Sequence, residues 1–271
     1  VTAEPVAPER VANERTFHDR WARSIDVAGL LVRESFEAET AIENRYALDS
    51  LGDLRGKRLL DLGCGAGESS VYFALRGARV VAVDVSGEML AKAQLLARRF
   101  GTTIDTVELV SHELPFATGA FDLVFGNGVL HHVDLEPTLR EVRRVLKPGG
   151  RGAFVEPLPY NPVIEVYRML ASEVRTPDER PVRFGELGPA RRLFRRFEHR
   201  EFWLASLVIF LYFFLVERAS PSKVRYWKKV IEDAPRYAGI FSVLQRVDRF
   251  LLRAFPVLGY LCWNTVLVVE A

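Results

Sequence analysis

The sequence predicts an α/β protein built on a doubly wound, seven-stranded sheet, with a helical N-terminal lid and a helical, aromatic-rich insertion before the last strand. Three observations carry that expectation. Short apolar runs that end in turns alternate with helix-length amphipathic stretches through the middle of the chain, the pattern of a parallel sheet. The first of these runs leads into "GCGAG" (63–67), a glycine-rich turn between strand and helix. Beyond Pro157 the alternation gives way to helical sequence rich in Phe, Tyr, Trp and Leu.

The elements follow in order. "TFHDRWARSIDVAGLLVRESFEAETAIENRYALDSL" is a helical preface that can fold over the mouth of the sheet. "KRLLDLG" reads as a buried strand, and Glu68 to Arg76 as a helix closed by Gly77 in the C′ position. "ARVVAVDVS" is a second buried strand ending at Asp84, after which Ser86 can cap a helix that stops at Gly101. "TIDTVELV" and "FDLVFGN" are strands three and four, followed by the helical "PTLREVRRVL", the turn "KPGG" and a fifth strand, "GGRGAFVEPL". A helix is expected from "EPLPYNP" to about Val174, then a loop, "RTPDERPVRFG". "GPARRLFRRF" reads as an amphipathic helix with Arg191, Arg192, Arg195 and Arg196 on one face and Leu193 and Phe197 on the other. "EHREFWLAS" and "LCWNTVLVVE" are the sixth and last strands. The chain therefore divides into a lid (1–55), a core (56–158) and a substrate-side region (159–271) whose insertion covers about 207–255.

At 271 residues, with 49% apolar and 27% charged residues, the composition is that of a globular protein with a sizeable core. The two cysteines, Cys64 and Cys262, have no metal-ligand spacing and no sequence argument for a disulfide, so a reducing, cytoplasmic setting and no metal are expected. The beginning, "VTAEPVAPER", reads as a loose tail, without the basic and apolar regions of a secretory signal. "FWLASLVIFLYFFLV" (Phe202–Val216) is uncharged, but fifteen helical residues reach only about 22 Å against a hydrocarbon core of roughly 30 Å. Core, pocket wall or peripheral membrane contact are its alternatives, and a spanning helix is not expected. Between Arg180 and Arg253 there are 16 Lys/Arg against 7 Asp/Glu, while the whole chain carries only +2. That asymmetry suits an acidic or amphiphilic partner.

The turn itself decides between cofactors. Gly63, Gly65 and Gly67 let backbone approach a ligand closely and open a helix whose N–H groups point at it. A dinucleotide fingerprint needs its third glycine where this chain has Glu68, which argues against a pyrophosphate cofactor. Asp84 follows at the end of the next strand, where a carboxylate can take both hydroxyls of a ribose.

With "LLDLGCGAGESS", "VVAVDVS", "ELPFATGAFDLVFGNGVLHHV" and "REVRRVLKPGG" in this order and spacing, the chain resembles the class I S-adenosylmethionine-dependent methyltransferases, in particular small-molecule enzymes of the methyltransferase-11 type. The resemblance covers about residues 57–156 and implies a Rossmann-like core and S-adenosylmethionine as cofactor. It implies that Asp61, Gly63 and Gly65, with Cys64 between them, line the methionine side. Asp84 would hold the ribose and Val85 touch the adenine, while Asn127 would stand beside the sulfonium with Leu130 just after it. Relatives often place an acidic residue before "LPF" to meet the adenine amino group. This chain has "LVSHELPF", so Ser111, His112 or backbone is expected there instead.

Methyl transfer from a sulfonium is an in-line displacement that gains most from alignment, together with a base where the nucleophile must lose a proton. His131 and His132 follow the fourth strand and are the first candidates, His131 ahead of His132. Glu156, at the tip of the fifth strand, is the next, as a base or as a group that steadies a cation. His18 and Trp21 in the preface can close over the cofactor, and Tyr160 and Tyr167 can face substrate. The arginine-edged aromatic insertion suits a lipophilic small molecule with an acidic group, such as a natural product of secondary metabolism, a quinone or a lipid. Nucleic acid is not expected, because a stacking platform needs spaced, exposed rings. O-methylation is favoured over C-methylation of a prenyl-type or ring carbon. A nucleotide-dependent oxidoreductase and a non-catalytic cofactor-binding or membrane-docking module are the readings from other classes.

Overall fold

The computed structural model describes residues 8–170 and 179–271. Three helices come first: α1 (Pro8–Ser24), the short α2 (Glu34–Glu37) and α3 (Ile42–Leu51). The core then alternates β1 (Arg58–Leu62), α4 (Glu68–Leu75), β2 (Arg79–Asp84), α5 (Gly87–Arg99), β3 (Asp105–Glu108), β4 (Phe121–Asn127), α6 (Leu135–Val145) and β5 (Leu146–Pro157). After it come α7 (Pro162–Leu170), α8 (Gly188–Leu193), β6 (Arg196–Phe202), α9 (Val208–Leu215), α10 (Tyr226–Glu232), α11 (Ala234–Ala254) and β7 (Asn264–Glu270).

The seven strands run in the order β3-β2-β1-β4-β5-β7-β6. The first five are parallel, and β7 lies antiparallel between β5 and β6. Because β1 leads left to β2 and β4 continues to the right, the order reverses between β1 and β4. Ligands of open α/β sheets bind beyond the carboxyl ends of the strands at that reversal. Here those ends are Leu62, Asp84 and Asn127, together with the end of β5.

Local chemistry explains the elements that aim these ends. Ser86 takes an extended conformation and its Oγ accepts the Met89 N–H at 3.1 Å, a cap that contributes about 1 kcal/mol. Gly77, at φ +90°, turns the chain out of α4 toward β2. Along α6, Thr138, Leu139, Val142 and Val145 are buried while Arg140 is exposed. The period-2 alternation of β1 sends Leu59 into the core layer shared with α4 and the insertion, and Leu60 and Leu62 into the layer shared with α6.

Several expectations shift. The "KPGG" segment is not a turn but the start of β5, which pairs with β4 from Leu146 and absorbs an irregularity between Phe121 and Leu123. Strand β3 is only four residues long. The helix expected over 188–197 stops at Leu193, and the residues from Arg196 onward join the sheet, pairing Arg196 with Glu270 and Phe197 with Val269. Ladder pairing with β7 outweighs the local helical pattern of arginines. Phe202–Val216 is not one helix either. Trp203 breaks it at φ +68° with a fully buried ring, and its Nε1 donates to Glu43 Oε2 at 2.9 Å. Among the described residues no helix is long and apolar enough to cross a membrane. Residues 171–178, where the helix to Val174 and the start of the following loop were expected, lie outside the described residues.

Candidate active site

The glycine turn has three different faces. Gly63 and Gly67 are packed tight: a Cβ on Gly63 would stand 2.6 Å from Val129 Cγ2, and one on Gly67 2.6 Å from Ala93 Cβ. Gly65, at φ +54°, would meet nothing within 4 Å, so its outer side is open. The turn is pinned from beneath, with the Cys64 N–H donating to Val83 O at 2.9 Å and the Gly67 N–H to Cys64 O at 3.0 Å. Asp61, on the first strand below it, is buried and accepts from Ser70 Oγ at 2.5 Å. Burial raises its carboxyl to about 7, against the lowering effect of Ser70, with Asp84 and Glu68 adding to the rise. Burial also pushes the Cys64 thiol well up, which leaves it unreactive as a nucleophile.

Asp84 organises the second strand tip. Its Oδ2 accepts the Gly65 N–H at 2.9 Å and its Oδ1 the Ser86 N–H at 3.0 Å, so one carboxylate joins both loops of the reversal. Burial raises its pKa despite those donors. Val85 O accepts from Arg15 Nε at 3.0 Å, and the same guanidinium meets Glu108 at 3.2 Å. Ser86 Oγ donates to Asp19 Oδ1 at 2.5 Å. Helix α1 thus lies directly against this corner. Ser111 and His112 sit in the loop after β3, where Nδ1 of His112 is buried with no hydrogen-bond partner among the described residues.

At the end of the fourth strand, Asn127 is exposed and donates from Nδ2 to Asn44 Oδ1 at 3.2 Å. Leu130 and His131 follow in a buried 3₁₀ turn. Glu156, fully buried at the end of β5, reaches under this turn. Its Oε1 accepts the N–H groups of Val129 at 3.0 Å and Leu130 at 2.7 Å, and its Oε2 lies 2.8 Å from His131 Nδ1. Burial lifts Glu156 to about 7 while the Leu130 and Val129 donors pull it down. The geometry makes it a group that holds His131, with neither oxygen turned away from the turn.

His132 faces the other way. Its Nδ1 is 3.0 Å from Glu14 Oε1 on α1, and Glu14 Oε2 is 3.5 Å from His18 Nε2. Burial first, then neighbouring His131, draws His132 down to about 4, which leaves it neutral near pH 7. Arg10 of the same helix donates to His131 O at 3.4 Å. Glu14, His18 and His132 form one group with ligand atoms within 4.8 Å of each other, and His131, His132 and Glu179 form a second. Sequence spacing shows neither group, because each is closed only by residues 47 or more positions apart in the chain.

The remaining predicted residues are dispersed. The Trp21 ring is covered by Arg225 of the insertion, whose Cζ lies 3.7 Å from the ring centroid, so that face is already taken by a guanidinium. Burial draws Arg225 down to about 10, with Tyr167 and Glu68 opposing. Tyr167 packs against Phe210 and Tyr226 at the edge of the same core. Tyr160 stands apart, its hydroxyl accepting the Phe184 N–H at 2.9 Å and its ring against Tyr260. Sequence reasoning missed Glu14, Arg15, Asp19 and Arg225. Glu14, His18 and Trp21 recur at helical spacing on one face of α1, and that periodicity is the signal that marks the face.

Residues 60–154 match the family model described as a methyltransferase domain. Over 116 residues the chain is 38% identical to an uncharacterized methyltransferase of Synechocystis, covering 42% of this chain and 53% of that protein. It is 34% identical over 131 residues to a ubiquinone biosynthesis O-methyltransferase of Pseudomonas aeruginosa, covering 46% and 55%. The chain thus spans about half the length of the curated relatives it matches. Among solved structures it is similar to the [4+2]-cyclase SpnF, at 20% identity and a TM-score of 0.59 with 97% of each chain covered. A S-adenosylmethionine-dependent methyltransferase of Mesorhizobium loti gives 19% identity and a TM-score of 0.54, covering 86% and 99%. At those identities the structures establish the fold alone, and a cyclase among them shows that the fold does not fix the reaction.

Proposed function

We propose that the chain is a class I S-adenosylmethionine-dependent methyltransferase with its core in residues 60–154, and that it methylates a hydroxyl of a lipophilic small molecule. The observation that carries the proposal is the buried His131–Glu156 pair directly beyond Asn127. A base for an acceptor hydroxyl must sit beside the methyl donor, and the strand ends put this pair at the same reversal as the glycine turn and Asp84.

The residues fit the cofactor. The outer side of Gly65 is open, the buried Nδ1 of His112 lacks a partner among the described residues and would face the adenine, and Asp84, its rotamer set by two backbone donors, would hold the ribose. Asp61, Gly63, Cys64, Gly65, Asp84, Val85, Ser111, His112, Asn127 and Leu130 are the residues proposed to hold it. S-adenosylmethionine would supply an electrophilic methyl group on a sulfonium, leaving as S-adenosylhomocysteine.

The chain's own part is to orient and to take a proton. Glu156 fixes the imidazole through Nδ1 and stabilises the cation that forms when Nε2 accepts the hydroxyl proton, the division of labour expected of a histidine base and its carboxylate. His132, Glu14 and His18 tie α1 across the opening and help to exclude water. The aromatic insertion, with Arg225 over Trp21, supplies an apolar wall and one cation for an acceptor with an acidic group. C-methylation would ask Glu156 to face a carbocation, and its three donors within the turn argue against that. A non-catalytic cofactor-binding module has no need of a buried base.

The test is incubation with methyl-labelled S-adenosylmethionine and fractionated organic extracts, followed by O-methyl cleavage with hydriodic acid and mass spectrometry. Label on an oxygen of an apolar product, absent with His131→Ala, is expected. Label on carbon, or transfer undiminished in His131→Ala, overturns O-methylation by this base.

A further inference from the structure

The insertion covers part of the core but leaves one of its own faces unpaired. Helix α11 is 21 residues long, about 30 Å at 1.5 Å per residue. It turns Tyr237, Phe241 and Asp248 inward. Its outer side carries Ile240, Val243, Val247 and Phe250 in a line at spacings of three and four, with Phe250 69% exposed and Ile240 59%. Past the helix end Phe255, Val257 and Tyr260 are exposed too, the ring of Tyr260 lying 5.0 Å from Tyr160 and 4.9 Å from Phe184. At the other end the ring of Tyr237 lies 5.5 Å from Phe213, in helix α9, whose Leu211, Phe214 and Leu215 are exposed as well. Isolated surface leucines need no explanation, but a row of this length does.

Charge along α11 narrows the occupant. Its one carboxylate, Asp248, is buried and spent within the fold, accepting the Ala205 N–H at 2.6 Å and the Ser206 hydroxyl at 2.6 Å. Arg246, Arg249 and Arg253 are exposed, and they flank the apolar line on one side, one helical step round. No carboxylate among the described residues pairs with any of the three. Arg236 at the start of the helix is paired with Glu217, so among the described residues the unpaired charge on the outward surface of α11 is cationic. A protein partner or a second copy would have to bring matching carboxylates to that edge, and a self-interface would set these arginines near one another. An amphipathic helix with a cationic flank and bulky apolar residues is suited instead to lie in the plane of a bilayer, its aromatics at the acyl boundary and its arginines among phosphates.

We propose that α11, with the exposed residues of α9 and of 255–260, docks the protein peripherally on an anionic lipid surface. This deepens the reading of a lipophilic acceptor, which would then be met at the membrane. Docking itself does not depend on that reading, because it is measured without the reaction.

The experiment is flotation of the full chain with phosphatidylcholine vesicles, with and without phosphatidylglycerol, beside calorimetric titration of S-adenosylhomocysteine as a check on folding. Flotation is expected with the anionic vesicles only. Each arginine lost is expected to cost about fivefold in partitioning, so Arg246→Gln with Arg249→Gln and Arg253→Gln should release the protein. Val247→Asp with Phe250→Asp should release it too, and because these positions face solvent the titration should be unchanged. Absence of flotation, or equal flotation with neutral vesicles, overturns the proposal. So does a wild-type dimer by light scattering that the Val247→Asp, Phe250→Asp chain turns into a monomer without any vesicle binding, since the face is then a self-interface. Loss of methyl transfer with flotation intact would count against the function proposed above and not against the docking surface.

Discussion

His131 Nδ1 and Glu156 Oε2 lie 2.8 Å apart in a pair from which solvent is almost excluded. The same carboxylate holds the backbone N–H groups of Val129 and Leu130. One side chain therefore fixes both the loop that follows β4 and the imidazole on it. Glu156→Gln keeps the size but brings an amide N–H₂ against donors that need an acceptor. Turnover is expected to fall by about 10²-fold or more, as for other carboxylates that orient a histidine base. Cofactor affinity should stay within a few-fold of wild type. Steady-state kinetics with a calorimetric cofactor titration would check this, and a matched fall in both quantities would mean that Glu156 only holds the loop.

Asp84 accepts from Gly65 and from Ser86 at once. In Asp84→Asn only one oxygen remains, so one backbone donor loses its acceptor, and in the proposed site a ribose hydroxyl would lose a charged one. Charge-assisted hydrogen bonds contribute about 1.5–3 kcal/mol each, and the affinity for S-adenosylhomocysteine is expected to fall roughly 10- to 100-fold. A chain that binds the nucleoside as well as wild type would remove Asp84 from the site.

How much of this was legible in the sequence depends on chain distance. The glycine turn and Asp84 were readable because each works through its immediate neighbours: positive φ, a strand before it and a helix after it. The His131–Glu156 pairing was not, because it exists only through the β4–β5 register, in which Asn127 stands beside Val155. Both residues could be named as candidates, but their division into a base and its holder needed the fold. The contact of Glu14 with His132 spans 118 residues and left no trace beyond the helical spacing of α1. The helix expected across Arg195 and Arg196 failed for the converse reason, since a local pattern gave way to pairing with a strand seventy residues later.

Gly63 and Gly65 separate packing from binding. Both have positive φ, so an alanine costs about 1–2 kcal/mol of backbone strain at either position. At Gly63 the added methyl also meets Val129 Cγ2 at 2.6 Å, an overpacking cost of about 1–3 kcal/mol more. Gly63→Ala should therefore unfold at clearly lower urea than Gly65→Ala. Gly65→Ala, with nothing within 4 Å, should retain most of its stability and instead bind the cofactor poorly. Equal stability losses in urea titrations would contradict this assignment of faces.

Asp61 gives a pH dependence whose sign differs between folding and binding. Burial raises its carboxyl from 3.8 to about 7, so the fold prefers the protonated form. The stability this contributes is fully present below about pH 4 and is lost as pH rises through about 7. In the proposed site the cofactor's cationic amino group would lie next to Asp61 and reverse the preference, because it needs the carboxylate. Affinity for S-adenosylhomocysteine should therefore rise with pH and level off above about 7, with a proton released on binding in that window. In Asp61→Asn the carboxyl contribution disappears: affinity should be low and flat with pH, and urea stability near neutral pH should not fall below that of wild type. Calorimetry in two buffers of different ionisation enthalpy counts the proton directly. Binding that releases none near pH 6.5 would place the amino group away from Asp61.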